Sequence, residues 1–570
     1  MNRNTEAHFA KVPGTEFSRS RFKRDQDIKL TMDAGKLVPF FIDEVLPGDT
    51  FRIDQAAIIR QTTPIFPVMD NARISFYYFF VPNRIIWDHW KEFMGENNTS
   101  AWTQETEYSV PQLKIMPTIG SGTPPFVPAE NTLCDYMGIP TKVYNKEGVG
   151  INVNALPFRA YVKIWNEWFR DQNVDNPAIL HTDDATQFYQ TVTSEETATV
   201  DILLQEAEKG GYCLPVNKVH DYFTSCLPAP QKNESAKIPM ADAAPVWSYT
   251  SFGLNQRTAE NSYIDGETRD LAIKFYNSNN DVNKGGTEVQ YYDASPSVTA
   301  TKRNFLGVPL GDYAAATINQ LRQAFQVQKL FERDARGGTR YRELVRSHFG
   351  VIIDDRTVQV PEYLGGCDVA INISQVVQTS SSTEQQPTGN TGAISVTPMN
   401  RSMFTKSFQE HGWVMGVCCV RHDRTYQQGL EKMWSRKSRL DYYFPVFANI
   451  GEQAVEKNEI YLAKNVDQTN VTKPPVFGYQ EAWAEYRYKP NRVCGKFRSN
   501  AEGTLDSWHY ADNYSSTPAL SQEWMKEGKA EIQRTLAVQD EPQFIMDVLV
   551  KNTTTRVMPV YSVPGLIDHH

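Results

Sequence analysis

The chain has few cysteines for its length: seven in 570 residues, at 134, 213, 226, 367, 418, 419 and 494, with no CxxC pair. An odd, scattered set without ligand spacing argues against a disulfide framework or a zinc site and points to reduced, buried thiols. No apolar run approaches membrane-spanning length, and no charged-then-apolar leader opens the chain, so we expect a soluble protein made and assembled inside a cell. A GxxxxGK[ST] phosphate loop is missing, which removes the basis for ATP-driven work, and HExxH, GxSxG and DxDxDG are missing too. The ten histidines are isolated. Asp354 and Asp355 are adjacent in a strand-like run, where side chains diverge, whereas acid–base pairs must converge. We expect no enzyme, no cofactor and no metal.

What is abundant is aromatic surface. Hydrophobic residues make up 40% of the chain and aromatics 12%, with 27 Tyr, 29 Phe and 11 Trp. Such residues fit pleated sheets and dominate large contact surfaces. A net charge of −9 argues against a protein whose whole surface binds nucleic acid, so any such contact must be local.

The central stretch runs from Gln320 to Gly366. Ile318, Leu321 and Phe325 form one apolar stripe at helical spacing, and Val327, Leu330 and Phe331 form a second, predicting a helix buried between two surfaces. Gly337-Gly338 stops it. The same stretch holds Lys329, Arg333, Arg336, Arg340, Arg342 and Arg346 against Glu332, Asp334 and Glu343. Arginines this dense beside apolar residues fork onto carboxylates or carbonyls at a joint, which makes Arg333, Arg336, Arg340, Tyr341, Arg342 and Phe349 candidates for an intersubunit or core joint.

Elsewhere ARISFYYFFVP (72–82) and GWVMGVCCVR (412–421) barely alternate, as strands covered on both faces do. Phe544, Met546, Val548 and Val550 alternate with polar residues, as in a strand with one wet face. LPGD (46–49) is a turn. Ile86, Trp90, Phe93 and Met94 predict a short helix laid on a sheet. Pro157 opens an amphipathic helix with Phe158, Tyr161, Val162, Trp165, Trp168 and Phe169 on one face. Residues 374–400 read as a flexible Ser/Thr/Gln loop. Two basic knots stand out. SRSRFKR (18–24) carries Arg19, Arg21, Lys23 and Arg24 within a polar arm, 1–36. Arg436, Lys437 and Arg439 lie beside Trp434, Tyr442 and Tyr443, where aromatics among cations could stack unpaired bases or equally form an arginine cluster between subunits.

The words QKLFERDARGGTRYRE, SHFGV and PEYLGG closely resemble the major capsid proteins of the gokushovirus branch of the microviruses, small icosahedral phages. DEVLPGDT, TPIFPVMDNA, FFVPNRIIWDHWKEFMGE, LPFRAYVKIWNEWFRDQN, HDYFTSCLPAPQK, VFGYQEAWAEYRYKPNRVCGKFRS and the ending PGLIDHH extend the resemblance from about residue 18 to the end, with a gap near 237–305. It implies a mainly β fold, an eight-stranded antiparallel jelly roll over 37–570 with long loop insertions and a few short helices. It further implies self-assembly into a T=1 shell around a circular single-stranded DNA genome, with 237–305 as a surface insertion near the threefold axes used in host recognition. The arm would then lie on the inner shell surface and touch phosphates through Arg19, Arg21, Lys23 and Arg24, with Arg436, Lys437, Arg439 and Trp434 as further DNA-contact candidates. Implied partners are copies of itself, the genome, a small basic DNA-binding viral protein, scaffolding proteins and a host surface receptor. The implied location is the virion, assembled in the bacterial cytoplasm. Two readings from other classes are a secreted or tail-attached β-sandwich carbohydrate-binding protein, which wants a leader or trimeric repeats, and a polysaccharide-cleaving β-enzyme, which wants a convergent carboxylate pair.

Overall fold

A computed structural model of the chain describes residues 18–97, 107–115, 128–142, 150–191, 195, 198–233, seven short strands between 247 and 307, and 318–380, 388–389, 391–463 and 475–561. The chain divides into two units, one made of residues 1–230 with 335–570 and the other of 231–334.

The larger unit is built on nine strands: β1 (Ser20–Lys23), β2 (Gln26–Met32), β3 (Val38–Val45), β4 (Thr50–Gln61), β5 (Ala72–Pro82), β6 (Glu362–Ala370), β7 (Thr397–Ser407), β8 (Gly412–His422) and β9 (Phe544–Arg556). One antiparallel sheet has β1 and β2 both on β9, followed by β4 and β7; the other runs β6–β5–β8–β3. The protein is therefore mainly β, with the two sheets face to face. Tyr78 of β5 donates to Gln55 Oε1 of β4 at 2.9 Å, and its ring meets Phe404 of β7 at 5.5 Å. Residues 18–32, the end of the basic arm, lie in this framework: β1 and β2 pair along the length of β9.

The patterns of the strands follow from how each sheet is covered. β4 and β9 alternate strictly, with Phe51, Ile53, Ile59, Phe544, Met546 and Val548 inward and Arg52, Arg60 and Asp547 outward. β5 and β8 hardly alternate because their sheet is packed on both sides. The second cover is α1 (Leu156–Ile164), continued by a π-helical turn Trp165–Phe169. Phe169 meets Tyr77 at 5.4 Å, and Trp168 meets Phe79 at 5.4 Å. The predicted aromatic face is in place: Phe158, Tyr161, Val162 and Trp165 are buried, and Tyr161 Oη donates to the Leu37 carbonyl at 2.7 Å. Gly416 in β8 is required by close approach, since a Cβ there would stand 2.8 Å from the Phe40 ring and 3.0 Å from the Tyr78 ring. Cys418 and Cys419 are buried in the same strand, as expected, and burial raises both thiol pKa values.

The LPGD turn forms as predicted, with Gly48 at φ +89° and Leu46 N–H donating to Asp49 Oδ2 at 3.0 Å. After β5, the helix spans only Trp90–Phe93, and Trp87, outside the expected stripe, is the most deeply buried of these aromatics. Two local readings change. Asp354 and Asp355 lie in an irregular loop and turn before β6, not in a strand, and Asp355 Oδ1 accepts from Arg342. Within 374–400, Ile373–Val377 and Thr391–Ser395 pair as a hairpin, with 381–387 and 390 outside the described residues.

Residues 231–334 hold the seven short strands, paired as a three-stranded sheet and two hairpins, and most of α2 (Ile318–Gly337). The insertion expected at 237–305 falls largely outside the described residues. Among the described residues α2 is not covered on two sides as expected: Phe325 and Leu330 are exposed, while Leu321, Val327 and Phe331 are half-buried. Helical spacing reports that an apolar face exists, not that the same chain covers it.

The sheet-to-sheet contact sets a stability expectation. Tyr78→Phe should cost about 1–3 kcal/mol by stranding Gln55, and Phe76→Ala, at a fully enclosed ring, about 3–5 kcal/mol. Urea titration of the unassembled full-length chain reads both; equal, negligible losses would mean that the two sheets do not share this core.

Candidate assembly joint and nucleic-acid contacts

The glycine pair at the end of α2 lets the chain turn directly into a second helix, α3 (Tyr341–Phe349), and Gly338 sits at φ +93° with the Glu343 carboxylate where a Cβ would go. The Glu343 carboxylate reaches back and accepts from the Arg340 N–H at 3.1 Å, satisfying one of the open donors at the start of α3. The Arg340 side chain then points to the end of the α1 segment. Its Nη2 donates to the carbonyls of Asn166 at 2.9 Å and Arg170 at 3.1 Å. Arg342 donates to the Glu167 carbonyl at 3.2 Å and to Asp355 Oδ1 at 2.9 Å, with its guanidinium 4.2 Å over the Trp168 ring. A helix end leaves its last carbonyls without partners, and cations are favoured there. Arg340 and Arg342 thus cap α1 from a segment 170 or more positions away.

Among the candidates for a joint, the two groups separate cleanly. Arg336 pairs with Glu452, and with Arg340 and Arg342 it works inside the chain. Arg333 lies in the other unit and is exposed. Tyr341 and Phe349 are 69% and 78% exposed, and Phe349 continues into Val351 and Ile352, the latter 79% exposed. Large apolar side chains left in water at both ends of a short helix and just beyond it are unusual on a soluble surface.

The basic knots also divide. Arg24 forks onto Asp43 at 2.7 and 2.6 Å, and Asn552 donates to the same carboxylate at 2.9 Å, so this arginine closes one end of the sandwich. Arg19 donates to the Gly48 carbonyl. Arg21 and Lys23 project into solvent. In the second knot Lys437, Arg439 and Trp434 are exposed, whereas Arg436 is held by Glu485 at 3.2 Å and lies 4.1 Å over the Tyr486 ring. Trp434 and Arg436 line a cavity of about 620 Å³ with Tyr222, Tyr426, Tyr486 and Glu459. Burial raises the Glu459 carboxyl to about 7, with Lys432 at 4.0 Å pulling the other way.

Sequence patterns did not single out the buried charges. Arg424 donates to Asp512 at 2.8 Å and to Glu527, and His422 Nδ1 lies 2.5 Å from Glu527. These four side chains are almost wholly enclosed. Burial alone would raise the Glu527 carboxyl, but Arg424 and His422 outweigh it and hold it at about 2. A second buried pair, Lys526 with Asp175 at 2.6 Å, lies beneath the π-helical turn with the ammonium 5.2 Å over Trp165. The partners are separated by 88 to 351 positions, so spacing along the chain carries no trace of them. Among the described residues no group of three or more potential metal ligands is present, and no helix is long and apolar enough to cross a membrane.

Comparison with known proteins places this architecture. The family model described as capsid protein (F protein) matches residues 10–566. The chain is 39% identical over 601 residues to capsid protein VP1 of Chlamydia phage 1, covering 98% of this chain and 97% of that protein. It is 38% identical over 574 residues to capsid protein VP1 of Bdellovibrio phage phiMH2K, covering 99% and 98%. Capsid protein VP1 of Spiroplasma virus 4 is 35% identical over 575 residues, again covering 99% and 98%.

The buried ion network fixes a pH response. Glu527 has a folded pKa near 2, below its ordinary 4.5, so its stabilisation is complete above about pH 4.5 and is lost as pH falls through 2. Glu527→Gln should flatten melting temperature against pH across that window and cost about 3–5 kcal/mol at neutral pH by leaving Arg424 short of a partner. An unchanged acid limb in thermal melts would show that the network does not carry this charge.

Proposed function

We propose, from the premise that this chain belongs to the capsid protein (F protein) family, that it closes by self-association into a T=1 icosahedral shell around a circular single-stranded DNA genome. It is a major capsid structural protein, with self-assembly and genome packaging as its work. Its framework is an eight-stranded jelly roll, counting β1 and β2 as one interrupted strand. The pairing supports this: the first strand lies on the last, β3 on β8, β4 on β7, and β5 on β6, the nested pattern of a long hairpin rolled over on itself.

The observation that carries assembly is the division of labour around α3. Arg340 and Arg342 spend their hydrogen bonds inside the chain and hold the helix rigid, while Tyr341, Phe349, Val351 and Ile352 face water. Rigid presentation of apolar side chains lowers the ordering cost of association, and a surface repeated by symmetry lets modest contacts accumulate. The insertion at 237–305 serves host recognition, and a small basic viral protein, scaffolding proteins and a host receptor complete the set of partners. Loops on a fixed scaffold tolerate the change that recognition demands. Assembly takes place in the host cytoplasm.

Light scattering on the purified full-length chain should give megadalton particles. Phe349→Asp combined with Ile352→Asp should abolish them, each lost anchor costing about 2 kcal/mol or more per contact, while the melting temperature of the unassembled chain stays unchanged because both side chains are exposed. A wild-type chain that stays monomeric at all concentrations would contradict the assignment.

A further inference from the structure

Beneath the π-helical turn an amine, a carboxamide and a carboxylate meet in one enclosed cluster. Asn217 and Lys526 face each other across an antiparallel bridge. The flanking bonds run from the Lys218 N–H to the Met525 carbonyl and from the Glu527 N–H to the Val216 carbonyl, both at 2.9 Å. Asn217 and Lys526 are therefore a non-hydrogen-bonded pair, the kind whose side chains stand closest. Lys526 Nζ donates to Asn217 Oδ1 at 2.7 Å and to Asp175 Oδ2 at 2.6 Å. Asn217 Nδ2 donates to the same Asp175 oxygen at 3.2 Å. One carboxylate oxygen thus touches both nitrogens.

An ordinary ion pair needs only the carboxylate. Here the second bond of the ammonium goes to a carbonyl oxygen, and the length of a C=O bond then puts Asn217 Cγ within about 4 Å of Nζ. A near-attack arrangement has the reacting atoms roughly 3–3.5 Å apart. Lys526, Asn217 and Asp175 are 8%, 9% and 5% exposed, and the fully buried Trp165 ring lies 5.2 Å from Nζ. Burial lowers the Lys526 pKa, and Asp175 only partly offsets this, which favours the neutral, nucleophilic amine. The buried arginines cannot act in this way, because a guanidinium stays charged. Lys218, also buried, lies 4.2 Å over the Trp524 ring instead.

We infer that Lys526 and Asn217 condense into an intramolecular isopeptide bond, with Asp175 relaying the protons. Nζ passes a proton to Asp175 Oδ2 and adds to Asn217 Cγ. Asp175 hands the proton on to Nδ2, and the Cγ–Nδ2 bond breaks. Of the three protons that start on Nζ, one stays on the new amide nitrogen and two leave on Nδ2 as ammonium. Asp175 ends as the carboxylate it began as, and no oxidant or further reactant enters. The bond joins positions 309 apart and fixes the seat of the π-helical turn covalently. A cross-link of such span acts mainly by restricting the unfolded chain. All of this lies within one chain and does not depend on the capsid reading.

The test is the intact mass of the denatured full-length protein, followed by tryptic mapping. The chain should be lighter than its sequence requires by one ammonia. Trypsin should leave Lys526 uncut, in a branched peptide with the segment that holds Asn217. Lys526→Arg, which keeps a cation beside Asp175, should show the full sequence mass, and so should Asp175→Asn. A wild type at full mass, an ammonia loss without a branch at Lys526, or an Asp175→Asn chain linked as completely as the wild type overturns the inference. The wild-type mass and map decide it even where a variant fails to fold.

Discussion

The structure depends on one inequality: a sheet buried on both sides is set against a sheet buried on one. β5 and β8 present apolar residues to both faces, so their sheet is unstable until something covers its far side. The aromatic helix α1 and the segments around it supply that cover. The other sheet alternates and needs no cover, which leaves its outer face free for charge.

Holding that cover in place falls to buried charge. Arg159 of α1 is wholly enclosed and donates to the Asp183 carbonyl at 2.9 Å, Arg340 and Arg342 cap the end of the same segment, and Lys526 with Asp175 braces it from beneath. Such groups stabilise only when fully partnered, and a missing partner is costly.

Much of this was legible in the residues. The alternation of Phe544, Met546, Val548 and Val550 marked the wet-faced strand, the unbroken run at 72–82 marked the doubly covered one, and the spacing from Phe158 to Phe169 marked α1. Dense arginines in GGTRYRE marked a joint, but not its partners, because the carbonyls that Arg340 meets lie 170 and 174 positions away. Arg24 read as a free cation in a basic arm and instead forks onto Asp43, since composition cannot distinguish a paired cation from a solvated one. The stripes of α2 correctly marked apolar faces, while Phe325 and Leu330 remain exposed in the single chain. A periodic pattern records the need for a partner surface and is silent on which molecule provides it.

The most direct measurement is electron cryomicroscopy of particles assembled from the full-length chain with DNA. The unequal covering predicts a closed icosahedral shell whose lumen is lined by the β1/β2–β9–β4–β7 sheet, with Phe349 and Ile352 covered by a neighbouring copy. A shell with the α1-clad side toward the DNA, and those two side chains in solvent, would contradict it.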